Sequence, residues 1–107
     1  MSPSPKSNHY QYVYGKLSET VHRLAVGEGD VRCRLKWACE VYNSVNKSLL
    51  PKELYEKWDW INSELNKFPS NYGKTSQEIT LTKIRNSTGS KIAKAIVSLK
   101  SELEQHL

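Results

Sequence analysis

The spacing of apolar residues predicts an all-α fold, a single-domain compact bundle of about five helices, four long and one short. Three observations carry this. Apolar side chains return at alternating steps of three and four along most of the chain, the period of one helix face. Helix start and stop signals recur at matching intervals. One segment, ITLTKI at 79–84, also alternates as a strand would, but it has no convincing second strand to pair with. At 107 residues and 12.3 kDa the chain has room for one core and not for two.

Residues 1–8, MSPSPKSN, carry two prolines, three serines and almost nothing apolar, and are expected to form a flexible leader ahead of one domain over 9–107. From His9 the pattern turns helical: Tyr10, Val13, Tyr14, Leu17, Val21 and Leu24 share a face, and Gly27 is the expected stop. Gly15 interrupts this helix at a cost of about 1 kcal/mol relative to alanine, marking a close helix approach or a bend. GEGD at 27–30 is a tight link in which Asp30 is placed to cap the next helix. That helix, from Val31 to about Asn46, puts Val31, Leu35, Ala38, Tyr42 and Val45 on one side.

The segment 49–69, LLPKELYEKWDWINSELNKFP, reads as one amphipathic helix around which the others are organised. Pro51 suits a first turn and Pro69 cannot continue a helix, while Leu54, Trp58, Ile61, Leu65 and Phe68 form its stripe. PSNYGKTS at 69–76 is the most loop-like stretch. Thr75 stands three before Glu78 in the capping-box pattern, so a short fourth helix is expected from there to about Asn86. Ser87 or Thr88 then caps a fifth, whose stripe is Ile92, Ile96, Leu99 and Leu103.

Function is far less legible. No apolar run approaches the roughly 18 residues that span a bilayer, and the N-terminus lacks a secretory segment, so a cytoplasmic protein with no membrane association is expected. Cys33 and Cys39 lie six apart on one predicted helix, about 9 Å along its axis, too far for a disulfide. His9, His22 and His106 are scattered, which argues against a zinc site, and no cofactor is expected. No phosphate-cradling glycine loop and no HExxH occurs, and none of the four arginines is followed by a histidine four to six residues on, the pairing a metal-independent helical ribonuclease would need. His22 beside the first stripe is expected to be structural. A non-enzyme is the expectation.

The net charge of +5 and pI near 9.3 permit an acidic protein partner or a nucleic acid. Two candidate surfaces follow. Trp37 and Trp60 each fall about 120° off their helix's stripe, and with Tyr12, Tyr55, Arg34, Lys36 and Lys57 they would make an aromatic, basic patch for a protein partner. Alternatively, residues 79–99 lay out helix, STG turn, helix, a partial DNA-reading helix-turn-helix with Gly89 as turn glycine. Lys91 and Lys94 would then stand at the front, with Lys83 and Arg85 behind. Ser87 to Lys91 could also hold a single phosphate or carboxylate at a helix start. Against the motif, Arg85 occupies a position that wants a small residue, and Ser98 one that wants an apolar side chain. The expectation is therefore a small non-enzymatic binding protein, of adaptor or inhibitor type, docking a protein partner. A nucleic-acid regulator is the alternative, and a homo-oligomer would cover any spare stripe.

Overall fold

A computed structural model describes residues 5–107, with side chains from His9 onward. Among these residues are five helices, α1 (Pro5–Val26), α2 (Val31–Tyr42), α3 (Tyr55–Leu65), α4 (Ser76–Lys83) and α5 (Asn86–Glu104). Two 3-10 turns, Lys47–Leu49 and Lys52–Leu54, precede α3. The fold is an all-α bundle. α1 starts at Pro5, earlier than expected, and a proline at the first helical position forfeits no hydrogen bond. Residues 1–4 of the expected leader lie outside the described residues.

Side-chain caps explain where α2 and α4 begin. Asp30 accepts from the backbone N–H groups of Arg32 and Cys33, at 3.0 and 3.1 Å. The Thr75 hydroxyl accepts from the Glu78 N–H at 3.1 Å, so the helical reading of 76–83 holds over the strand alternative. α5 differs from expectation: neither Ser87 nor Thr88 caps it, and Arg85 stands at the N-cap with extended backbone and no side-chain cap bond. α2 ends at Tyr42, sooner than expected, yet Val45 still reaches the core.

The stretch 49–69 is the largest departure from the sequence reading. It is not one helix, because the residue before a proline is kept out of the helical region by the ring's Cδ. Leu50 is extended at φ −98°, ψ 154°, and Pro51 follows at φ −59°, ψ 145°. At the other end Asn66 leaves the helix at φ −120°, ψ 28°. Phe68, itself before Pro69, packs against the core from the loop. The stripe survives the break: Leu54, Trp58, Ile61 and Leu65 are all buried.

Cross-links between helices give their directions. Arg34 donates to the Leu24 carbonyl at 2.9 Å, and Arg23 to the Trp37 carbonyl at 3.0 Å, so α1 and α2 are antiparallel. The Lys57 ammonium donates to the Ser98 hydroxyl at 2.7 Å and pairs with Glu102 at 3.1 Å, and Trp60 and Glu64 face Thr88 and Lys91, so α3 and α5 are antiparallel too. The Tyr14 hydroxyl donates to Glu104 at 3.3 Å, which brings the start of α1 to the end of α5. α5 thus touches α1, α2 and α3, and its Ile92, Ile96, Leu99 and Leu103 are wholly buried. Gly15 meets no close neighbour, so it is not a helix-approach glycine; Gly89 is one, with an added Cβ falling 2.9 Å from Val31 Cγ1.

Candidate docking site

The residues picked out on α2 and Trp60 have different neighbours. Arg32 and Arg34 are half-buried and used internally. Arg32 pairs with Asp30 at 3.0 Å and donates to the Ile84 carbonyl at 3.1 Å, tying the link before α5 to the start of α2. Arg34 caps the end of α1, satisfying a carbonyl that a helix C-terminus leaves open. Trp37 is 41% exposed, but the Arg23 guanidinium lies 4.8 Å over its ring and α1 closes against it at Gly27. It belongs to the α1–α2 seam. Lys36 points elsewhere, into a groove shared with Glu40, Gln77, Glu78 and Leu81 of α2 and α4. Lys57 is engaged by Ser98 and Glu102.

Trp60 and Lys91, singled out for separate reasons, do meet. Trp60 is 43% exposed and, with Glu64, Lys67, Thr88 and Lys91, lines a groove of about 230 Å³ between α3 and the start of α5. Lys94, one turn further along α5, is exposed as well, as is Arg85. The groove continues into the loop between α3 and α4. Lys67 lines it, and beside Lys67 the Phe68 ring lies beneath the Lys83 ammonium at 5.3 Å. Lys83 in turn lines a second groove of about 320 Å³ with Asn71, Tyr72, Lys74, Ile79 and Thr82.

This loop is built firmly. Thr80, fully buried on α4, accepts from the Phe68 N–H at 3.0 Å, and the Ser76 hydroxyl donates to the Asn66 carbonyl at 3.0 Å. At its tip Asn71 and Lys74 exchange backbone hydrogen bonds at 3.2 and 2.9 Å across a two-residue turn. Both central residues, Tyr72 at φ +46° and Gly73 at φ +77°, have positive φ, the pattern of a type I′ turn. Asparagine, aspartate or glycine normally takes the first of these positions. A tyrosine there is held against its backbone preference, and it is 95% exposed.

The charge distribution gives the loop and its neighbours their character. Residues 66–95 hold six of the sixteen Lys and Arg, namely Lys67, Lys74, Lys83, Arg85, Lys91 and Lys94, but one of the eleven acids, Glu78. Ten of each sign lie elsewhere, so the entire net charge of +5 falls on this segment. Among the described residues none of the six forms an ion pair, whereas Arg23, Arg32, Lys47 and Lys57 all do. An electropositive end with an exposed Trp and an exposed Tyr is the most function-like feature of the molecule. Trp60, Arg85, Lys91 and Lys94 were visible in the sequence as candidates. Tyr72, Lys67 and Lys74 were not, although a tally of charge by segment would have found the two lysines.

Other candidates are corrected by their surroundings. Gly89 is not a turn glycine: it lies inside α5, buried against Val31 and Leu35, and the link between α4 and α5 is Ile84 and Arg85. The STG turn of the alternative helix-turn-helix reading is therefore absent, and the two helices meet at Ile84 and Arg85 instead. His22 is exposed and has no structural role in the core. Cys33 and Cys39 are free thiols; Cys33 is exposed, and burial pushes the Cys39 thiol up to about 12. Burial likewise raises the Tyr42 phenol, which stacks at 4.9 Å on Trp58 in the core. Among the described residues no helix is long and apolar enough to cross a membrane, and no group of His, Cys, Asp and Glu could hold a metal ion. Comparison of the chain with family models, with characterised proteins and with solved structures gives no match.

Proposed function

We propose that the chain is a small non-enzymatic binding protein, of the adaptor or inhibitor type, that docks an acidic macromolecular partner. The docking surface is the electropositive end formed by α3, the 66–75 loop, α4 and the start of α5. The carrying observation is that the six cations of residues 66–95, which face one acid in that segment, form no ion pair among the described residues and stand alongside half-exposed Trp60, with Glu64 of α3 the one carboxylate in its groove. Half-exposed tryptophan in a groove is a typical anchor of a binding surface, and unpaired cations steer an anionic partner toward it. Of the expected patch of Trp37, Trp60, Arg34 and Lys36, this reading keeps Trp60 and sets less weight on Arg34 and Trp37, whose side chains also bond or stack across the α1–α2 seam.

The test is capture from the native host lysate by purified protein, with and without nuclease, comparing three forms. Wild type and Lys52→Glu, a charge reversal remote from the site, should retain the same partner. The combined Lys67→Glu, Lys83→Glu and Lys91→Glu variant should lose it. Equal capture by all three forms would remove the basic end from the account. Loss on nuclease treatment would identify the captured partner as nucleic acid, and survival would identify it as the protein partner expected from the sequence.

A further inference from the structure

Resting on that docking reading, we infer that the anionic partner is single-stranded nucleic acid, with Tyr72 and Trp60 as base-stacking platforms and the flanking lysines on phosphates. Four features of the end favour this over an acidic protein surface. Five of its six cations are lysines. Protein interfaces are depleted in lysine and enriched in arginine, whereas phosphates are held by either. Second, Tyr72 is 95% exposed on the tip of a two-residue turn. A ring presented this way suits the face of a nucleotide base, which every base possesses regardless of sequence.

Third, that presentation is maintained against preference. Tyr72 occupies a left-handed position that asparagine or glycine would fill without strain, while Thr80 and Ser76 anchor the loop beneath it. Residues held in such conformations cluster at ligand-binding positions. Fourth, cations and rings follow one another around the end: Lys91, Trp60 and Lys67 on one groove, where Glu64 is the single carboxylate, then Lys83 over Phe68, then Lys74 and Tyr72 on the next. Alternation of aromatic faces and positive charge is how proteins hold an unpaired strand without reading its sequence. A duplex fits less well, since its bases are already stacked and α4–α5 offers no reading helix free of the bundle.

The full chain is titrated with oligo(dT) of about fifteen nucleotides, followed by tryptophan fluorescence and anisotropy, at about 50 and 200 mM salt. Four lysines on phosphates give a log–log slope of about −2.8, so affinity should fall roughly 50-fold between the two conditions. Tyr72→Phe should bind as wild type. Tyr72→Ala should bind about 5- to 150-fold more weakly, the range for losing one stacked base. Tyr72→Asn keeps the turn, because asparagine tolerates its backbone, and should lose affinity to the same degree.

Wild-type affinity in Tyr72→Asn, or equal affinity for the same sequence as a duplex, would overturn the inference. Polyglutamate of matching charge is the control for the underlying reading. If polyglutamate binds, is lost on reversing Lys67, Lys83 and Lys91, and oligo(dT) does not bind, the nucleic-acid inference falls while docking of an acidic partner stands. If neither polymer binds and lysate capture is indifferent to charge reversal, both fall.

Discussion

Substituting alanine at two helical glycines tests the packing account, because the structure assigns them opposite signs. In an open helix interior the change gains about 1 kcal/mol from propensity and reduced unfolded-state entropy. Gly15 is such a place, since an added Cβ meets nothing within 4 Å. At Gly89 the same methyl group would lie 2.9 Å from Val31 Cγ1 and 3.6 Å from Leu35 Cδ1. Val31 is 7% exposed and β-branched, so it cannot swing aside, and the first turn of α2 must move off α5. Overpacking of this kind costs about 1–3 kcal/mol, which outweighs the propensity gain and leaves a net loss of about 1 kcal/mol. Gly15→Ala should therefore melt higher than wild type and Gly89→Ala lower, with the two Tm values separated by about 8–16 °C for a domain of this size. In a double-mutant cycle Val31→Ala should cost less in the Gly89→Ala background than in wild type, because it removes the clashing methyl group. Thermal and urea unfolding supply both readouts. A Gly89→Ala protein as stable as Gly15→Ala would refute the α2–α5 contact on which the rejection of a turn glycine depends.

Two further outcomes follow from side-chain environments. Native protein should consume one equivalent of a thiol reagent rapidly, through exposed Cys33, and a second only in denaturant, because Cys39 is buried with its thiol pushed up to about 12; two fast equivalents would contradict its burial. Asp30 is held below the ordinary carboxylate value chiefly by the Arg32 side chain and next by the Cys33 N–H. A lowered folded-state pKa contributes stability above the unfolded value, near 4, that is lost as pH falls through the folded one. Stability should accordingly decline below about pH 4, and Asp30→Asn should flatten that part of the profile; an unchanged slope would assign the acid sensitivity to other carboxylates.

Much of the fold was legible because burial follows period. Ile92, Ile96, Leu99 and Leu103, and Leu54, Trp58, Ile61 and Leu65, were read from spacing and are all buried, and Asp30 and Thr75 cap as their chemistry suggests. The failures came where two local signals compete. Pro51 was read as a helix start, but its constraint on Leu50 prevails and replaces the first turns by 3-10 structure. Gly89 was placed in a turn by the helix, STG, helix layout, yet glycine also permits close approach, and the sequence does not say which partner approaches. Phe68 continued the stripe by spacing, although Pro69 forbids its helical backbone. The functional surface was legible only in fragments. Trp60 and Lys91 were named on different arguments, and only the antiparallel packing of α3 on α5 brings them together. Tyr72 gave no periodic signal at all; its meaning lies in a positive φ that the tripeptide Asn71-Tyr72-Gly73 hints at through Gly73 alone.

Amide chemical-shift mapping of the isotopically labelled chain, titrated in turn with oligo(dT) and with polyglutamate, locates the docking surface directly. Shifts should concentrate at Trp60, Lys67, Tyr72 to Lys74, Lys83 to Arg85 and Lys91 to Lys94, while amides around Trp37 stay in place. Shifts centred on the α1–α2 seam at Arg23, Arg34 and Trp37, or scattered evenly over all lysines, would contradict that placement.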